Sequence, residues 1–172
     1  SEDHTHATDA SNASRTMLYD IDAAAWSDEL CALFGVPRGM LPEVRRSAGE
    51  FGVTTKEHLG LEIPICGVAG DQQAALFGQG CWQPGEGKNT YGTGCFMLMQ
   101  TGDHCLASGN GLISTRAAQT GSKPQYALEG SVFIGGAVVQ WLRDGLQAIE
   151  ASGEVQGLAE SVPDSGGVIF VP

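Results

Sequence analysis

The sequence predicts an α/β protein built from two incomplete lobes, and three observations support this prediction. Short apolar strand patterns alternate with amphipathic helix patterns along the 172 residues. A segment dense in glycine, 78–88, separates an earlier set of these elements from a later set. The chain begins without Met and stops in the apolar run 168–171, which predicts a piece of a longer protein.

The first half of the chain contains two strand patterns and two helix patterns. In chain order they cover 15–21 (strand), 23–34 (helix), 63–68 (strand) and 72–77 (helix). The first helix is expected to start after an Asp22 cap and to bury Trp26, Leu30 and Leu33 on one face. The second strand is short and apolar enough to be buried in a sheet.

The second half predicts mostly strands followed by one long helix. A strand, a tight glycine turn and a second strand fit 89–100, and further strands fit 111–117 and 125–132. The helix is expected over 133–149, because apolar residues recur there at helical spacing.

Composition and charge exclude several classes of function. The net charge of −11 and only nine scattered Lys and Arg argue against nucleic-acid binding. No apolar run approaches the ~18 residues of a membrane span. Five cysteines without metal-type spacing predict free thiols in a reducing, cytoplasmic compartment. His4 and His6 lie in a polar segment and are expected to be solvated rather than to bind metal.

Asp71 is the first candidate catalytic residue. It follows an apolar strand pattern and small residues, at the start of the predicted helix 72–77. A single carboxylate at such a junction is either a helix cap or a catalytic base.

Glycine turns in the second half are candidate phosphate-binding sites. One is the turn Thr90–Gly94, and another is the entry to the long helix at Gly135 and Gly136, with Gln140 one turn later. Backbone N–H groups at such turns and at helix starts can bind phosphate. One acid and two such turns fit phosphoryl transfer in a cleft between lobes.

Several longer motifs occur in a fixed order along the chain. They are 12–18 (Asn-Ala-Ser-Arg-Thr-Met-Leu), 40–47 (Met-Leu-Pro-Glu-Val-Arg-Arg-Ser), 63–64, 67–78, 88–96 (Lys-Asn-Thr-Tyr-Gly-Thr-Gly-Cys-Phe), 126–130 and 140–144. Together they resemble the glycerol kinases, within the FGGY carbohydrate kinases, over nearly the whole chain. The resemblance implies a ribonuclease-H-like, actin-like ATPase fold of two lobes, both partial here.

The resemblance also implies roles for individual residues. Asp71 matches the base that takes the proton from a glycerol hydroxyl as its oxygen attacks the γ-phosphate of ATP. Gln72 matches a ligand of a glycerol hydroxyl, and Phe96 matches an apolar wall beside the glycerol carbons. The positions that match nucleotide contacts are Thr93, Gly136 and Gln140. ATP and Mg²⁺ are the implied cofactors, and no protein ligand for the metal is identified in the chain.

The family match also predicts the organisation of the chain. Residues 1–80 correspond to the end of the N-terminal domain, 81–87 to a linker, and 88–172 to the start of the C-terminal domain. Full-length members often form dimers or tetramers, so a homo-oligomer is expected. Further site residues of the family lie outside this sequence, so the 172 residues alone are expected to be inactive.

One loop departs from the pattern of family members that respond to fructose 1,6-bisphosphate. Those members carry Gly-x-Arg before the Ile-Pro pair, whereas this chain has Gly60-Leu61-Glu62. A carboxylate repels a phosphate, so we expect this regulation to be absent. Inhibition of the full-length protein by this effector through this loop would contradict that expectation.

Two alternatives remain open from the sequence. One is a sister FGGY kinase acting on a pentulose or another polyol. The other is a non-catalytic actin-like ATPase lobe. Such a lobe would not need a pocket for a small hydroxyl compound.

Overall fold

Residues 5–171 are described by the structure, a computed structural model, and they fall into two units. The first unit extends to Lys88 and also contains Leu98–Gly130. The second unit contains Asn89–Met97 and the residues from Ser131 onward. The prediction for His4 lies outside the described residues.

The elements alternate between strand and helix, which confirms the predicted α/β class. The strands are β1 (Ala7–Asp9), β2 (Tyr19–Asp20), β3 (Ala25–Trp26), β4 (Glu43–Arg45), β5 (Ala48–Val53), β6 (Pro64–Gly67), β7 (Gly87–Tyr91), β8 (Cys95–Gly102), β9 (Ile113–Arg116) and β10 (Tyr126–Val132). The α-helices are α1 (Ala10–Ala13), α2 (Asp28–Phe34), α3 (Lys56–Leu59), α4 (Asp71–Gly78), α5 (Ala137–Gln140) and α6 (Glu154–Glu160). A 3₁₀ turn covers Arg38–Met40, and a π-helical turn covers Trp141–Gly145.

The strands form one four-stranded sheet and three pairs. The larger sheet has the order β7-β8-β10-β9, with β9 and β10 antiparallel. β1 and β4 pair in parallel, so that Asp9 lies opposite Arg45. β2 pairs with β3, and β5 with β6, in antiparallel fashion. β6 confirms the predicted strand, but it is largely exposed rather than buried, because within residues 5–171 it pairs with β5 alone.

The first predicted helix starts later than expected. Asp22 does not cap it, because the backbone N–H groups of Asp22 and Ala23 both donate to the Asp20 carboxylate and close a turn there. Ser27 caps α2 instead, by accepting from the Leu30 N–H. The predicted strand 15–21 is correspondingly reduced to β2.

Two small clusters form the core of the first unit. In one, Tyr19 and Trp26 meet edge to face with ring centroids 5.4 Å apart, and the Trp26 indole donates to the Pro42 carbonyl. The other contains Leu76 of α4 and Leu98 of β8, both fully buried. This second cluster anchors α4 on the sheet. Leu33, expected in the core, is 74% exposed.

The long helix predicted over 133–149 is wrong at both ends. The backbone N–H groups of Gly135 and Gly136 donate to carbonyls of the turn at 92–93, so helical bonding starts only at α5. After the π-helical turn, Gln147 has φ +53°, which no helix continues through. The apolar run 168–171 is exposed and forms no strand among the described residues.

No helix within residues 5–171 combines the length and the apolar character needed to cross a bilayer.

Candidate active site

Asp71 is the first residue of α4, and Gly70 occupies the cap position. The helix has no side-chain cap hydrogen bond, so the interpretation of Asp71 as a helix cap is wrong. Its carboxylate is exposed, and Gln72 Nε2 approaches Oδ2 at 3.4 Å. A negative charge at this position is favoured by the positive end of the helix dipole. The Asp71 carboxylate is therefore accessible to a ligand and is carried by the first turn of a helix.

The turn before Asp71 is held by buried hydrogen bonds. The Gly70 N–H donates to Ser11 Oγ at 2.9 Å, and Ser11 Oγ in turn donates to Asp9 Oδ2 at 2.6 Å. A Cβ at Gly70 would lie 2.5 Å from Gln73 Oε1, so the buried Gln73 side chain would have to move to accommodate it. The backbone that carries Asp71 is thus fixed by α1 and by the packing of α4.

Asp9 organises this region and was not identified from the sequence. Its carboxylate is fully buried and accepts from the Ser11 and Asn12 N–H groups, from Ser11 Oγ, from Asn12 Nδ2, and from Ser47 Oγ. The Asp-x-Ser-Asn pattern at 9–12 is a cap signal, but α1 has only four residues and shows no apolar periodicity to reveal it.

Lys88 is the second residue that the sequence did not single out. It is 8% exposed, and its ammonium donates to Gln72 Oε1. Burial lowers the pKa of Lys88, while the negative charges of Glu129 and Asp71 act in the opposite direction. The amide oxygen of Gln72 accepts from Lys88. The Nε2 donor of Gln72 is therefore oriented toward Asp71.

An ion pair between the exposed Arg15 and the buried Glu129 lies in the same unit. Arg15 Nη2 donates to Glu129 Oε1 at 2.9 Å, and the Glu129 side chain is 5% exposed. Lys88 is therefore held among the carboxylates of Glu129 and Asp71, which offsets part of the cost of burying its charge.

In the second unit, the glycine turn and the start of α5 are joined by hydrogen bonds. The Gly136 N–H donates to the Gly92 carbonyl at 2.8 Å, and the Gly135 N–H donates to the Thr93 carbonyl at 2.6 Å. These N–H groups are therefore used within the protein, contrary to the expectation that both would be offered to phosphate. The Thr93 side chain is exposed and remains available as a donor.

The remaining predicted site residues of the second unit lie near these two segments. Phe96 is half-buried and meets Phe133 edge to face, with centroids 6.4 Å apart. Gln140 is exposed at the end of α5, and its N–H reaches back to the Gly136 carbonyl at 3.4 Å. The structure thus brings Thr93, Gly136 and Gln140 into one stretch of surface.

Gly136→Ala should lower the melting temperature of the chain. An added Cβ would lie 2.6 Å from the Gly92 carbonyl oxygen, and backbone must shift to accommodate it. We expect a cost of about 1–3 kcal/mol, the usual range for overpacking. Gly153→Ala is the matched control, because nothing lies within 4 Å of a Cβ there. Equal melting temperatures for the two variants would contradict the tight approach of turn and helix.

Within residues 5–171, no group of three or more His, Cys, Asp or Glu side chains could hold a metal ion. The exposed carboxylate of Asp71 is chemically suited to contact a hard cation brought by a ligand.

Two family models match the chain. Residues 2–78 match the N-terminal domain of the FGGY family of carbohydrate kinases, and residues 87–172 match its C-terminal domain.

Individual relatives are similar over almost the whole chain. A glycerol kinase of Leptothrix cholodnii is 62% identical over 167 residues, and one of Methylibium petroleiphilum is 66% identical over 169 residues. Both alignments cover 97% of this chain but 34% of the relative. The chain therefore spans about a third of the length of the curated relatives that it matches.

Solved structures give the same result for the fold. The crystal structure of Plasmodium falciparum glycerol kinase with ADP is 40% identical, with a TM-score of 0.88 over 98% of this chain and 34% of that one. A xylulose kinase from Brucella ovis is 18% identical, with a TM-score of 0.80 over 95% of this chain and 34% of that one, and shares the fold alone.

Proposed function

Because the chain belongs to the FGGY family of carbohydrate kinases, we propose that it forms about a third of a kinase that transfers the γ-phosphate of ATP to glycerol. The observation that carries the proposal is the exposed carboxylate of Asp71 on a fixed helix start, beside a Gln72 amide oriented by Lys88. Glycerol kinases at 62–66% identity support glycerol as the acceptor. The ADP complex of the Plasmodium enzyme supports a nucleotide as the donor.

In the proposed reaction, Asp71 removes the proton from a terminal hydroxyl of glycerol. The hydroxyl oxygen then forms a bond to the γ-phosphorus while the bond to the bridging oxygen of ADP breaks. Gln72 Nε2 donates to a glycerol oxygen and holds the hydroxyl against the carboxylate. Alignment and charge stabilisation supply most of the acceleration, and the positioned base adds to it.

The nucleotide contacts belong to the second unit in this proposal. Thr93 and Gly136 are on the phosphate side of ATP, Gln140 contacts the nucleotide, and Phe96 provides an apolar wall for the glycerol carbons. Mg²⁺ is expected to enter with ATP and to neutralise phosphate charge, bound mainly by phosphate oxygens.

The organisation of the whole protein is part of the same proposal. Residues 1–80 end its N-terminal domain, 81–87 link the domains, and 88–172 begin its C-terminal domain. We propose a cytoplasmic homo-oligomer.

An acceptor panel tests the proposal. ADP release by the full-length protein is measured with glycerol, xylulose, gluconate or no acceptor. We expect glycerol to give the largest kcat/KM. A preference for xylulose would indicate a sister kinase, and equal rates without acceptor would indicate an actin-like ATPase.

Lys88→Met should lower kcat/KM for glycerol about tenfold, the worth of one hydrogen bond to a charged group. Lys88 acts here as a positioning residue through Gln72. KM for ATP should be unchanged, and Lys88→Arg should restore part of the activity, because a cation still reaches the amide oxygen. Equal losses for ATP and glycerol, or no rescue by Arg, would contradict the positioning role.

A further inference from the structure

A surface cavity of the first unit is rich in arginine although the protein is acidic. It has a volume of about 300 Å³ and is lined by Arg45, Arg46 and Arg116, together with the rings of Tyr19 and Tyr126. The whole sequence has nine Lys and Arg and a net charge of −11, so a third of its cations line this one cavity. We call it the arginine cavity.

Arg116 is a buried cation whose charge is not neutralised by an acid. The residue is 3% exposed, and no ion pair involving it occurs within residues 5–171. Its guanidinium donates to the Ile21 carbonyl at 3.1 Å and to Gln119 Oε1 at 2.9 Å, and lies 4.9 Å from the Tyr126 ring centroid. Its Nε is buried and has no hydrogen-bond partner among the described residues. A buried cation with an unused donor is costly unless an anion approaches it.

The two other arginines differ in how much of their charge is available. Arg45 forms an ion pair with Glu43, in which Nε and Nη2 donate to Oε2 at 2.9 and 2.6 Å. Its Nη1 donates to the Glu50 carbonyl. Arg46 is exposed, and within residues 5–171 its side chain makes no ion pair or hydrogen bond. One acid, Asp22, also lines the cavity and interacts with the thiol of Cys105. Arg46 and Arg116, neither of them in an ion pair within residues 5–171, outnumber this acid, so the lining carries a net positive charge.

We propose that the arginine cavity binds a phosphate group, either free or as a small phosphate monoester. Guanidinium groups present paired N–H donors that match phosphate oxygens, and the rings of Tyr19 and Tyr126 add an apolar part to the lining. Because the net charge of the protein is −11, its overall field repels a phosphate, and binding requires a local cluster of cations such as this one. The residues that line the cavity belong to the first unit, whereas Thr93 and Gly136 belong to the second.

The arginine cavity is connected to the Asp71 turn by hydrogen bonds. Arg116 donates to the side chain of Gln119, and the Gln119 N–H donates to Ser47 Oγ at 2.9 Å. Ser47 donates to the Asp9 carboxylate at 2.6 Å, and that carboxylate also accepts from Ser11, which holds the Gly70 N–H. An anion on Arg116 therefore contacts the same network that fixes the start of α4.

The test is calorimetric titration of the 172-residue chain with inorganic phosphate against chloride at equal ionic strength. We expect saturable binding that Arg46→Ala weakens about tenfold, as for loss of one charge-assisted hydrogen bond. Arg46→Ala removes no side-chain hydrogen bond or ion pair within residues 5–171, so the circular dichroism spectrum of the variant should be unchanged. Arg116→Met should weaken binding at least as much. Arg143→Ala is the matched control, because Arg143 is paired with Asp144 outside the cavity.

Three results would overturn the proposal. The first is the absence of saturable phosphate binding to the unmodified chain. The second is unchanged affinity in both Arg46→Ala and Arg116→Met, which would assign the bound phosphate to another site. The third is an equal loss in Arg143→Ala, which would indicate charge screening rather than a site. None of these results bears on whether Asp71 is the base of a kinase.

Discussion

Asp71→Asn should lower kcat of the full-length protein for glycerol about 100- to 10,000-fold, the usual contribution of a positioned general base. Asparagine has almost the same shape as aspartate and keeps the first turn of α4, but its amide does not accept a proton from the acceptor. KM for ATP should therefore stay near its original value.

The matched control for this substitution is Asp28→Asn. Asp28 is the first residue of α2, as Asp71 is of α4, and its side chain is 90% exposed. A change in helix-terminal charge alone affects both variants by a similar, small amount. Near-normal turnover of Asp71→Asn, or an equal loss in Asp28→Asn, would contradict the role of Asp71 as base.

Asp9→Ala should lower the free energy of unfolding by about 3–5 kcal/mol, the range for breaking a buried charged network. The substitution leaves the buried Ser47 Oγ and the half-buried Asn12 amide without their acceptor and removes the cap of α1. Urea denaturation followed by circular dichroism measures the loss.

Asp20→Ala provides the comparison for this second prediction. Asp20 also accepts two backbone N–H groups, but it is exposed, so about 1 kcal/mol is expected. An Asp9→Ala cost no greater than that of Asp20→Ala would show that the buried network does not stabilise the first unit.

The helix that carries Asp71 was predictable to within one residue at each end. The sequence predicts 72–77, and the structure has Asp71–Gly78. Small residues before the helix and glycine at its end are local signals, and Leu76 provides the buried anchor. Local sequence signals and tertiary packing favour the same helix bounds in this segment, so the sequence pattern was sufficient to predict α4.

The helix after the second glycine turn was not predictable in the same way. Its spacing of apolar residues favours 133–149, yet the N–H groups of Gly135 and Gly136 bond to the carbonyls of Thr93 and Gly92, far earlier in the chain. At the other end, the positive φ of Gln147 interrupts the helix. Neither limit is reported by the periodicity of apolar residues.

The residues that support the candidate site could not be predicted from the sequence for a related reason. Lysine is usually exposed, so nothing in the sequence marks Lys88 as buried against Gln72. The roles of Asp71 and Gln72 came from the family resemblance. The side chains that orient them became visible only through the hydrogen bonds of the folded chain.

The most direct test of the central claim is to follow the phosphate of ATP in the full-length protein by ³¹P NMR, with and without glycerol. The account predicts that the γ-phosphate appears as glycerol 3-phosphate in step with ADP, and that without glycerol little ADP forms. Release of ADP and inorganic phosphate at the same rate whether or not glycerol is present would contradict it.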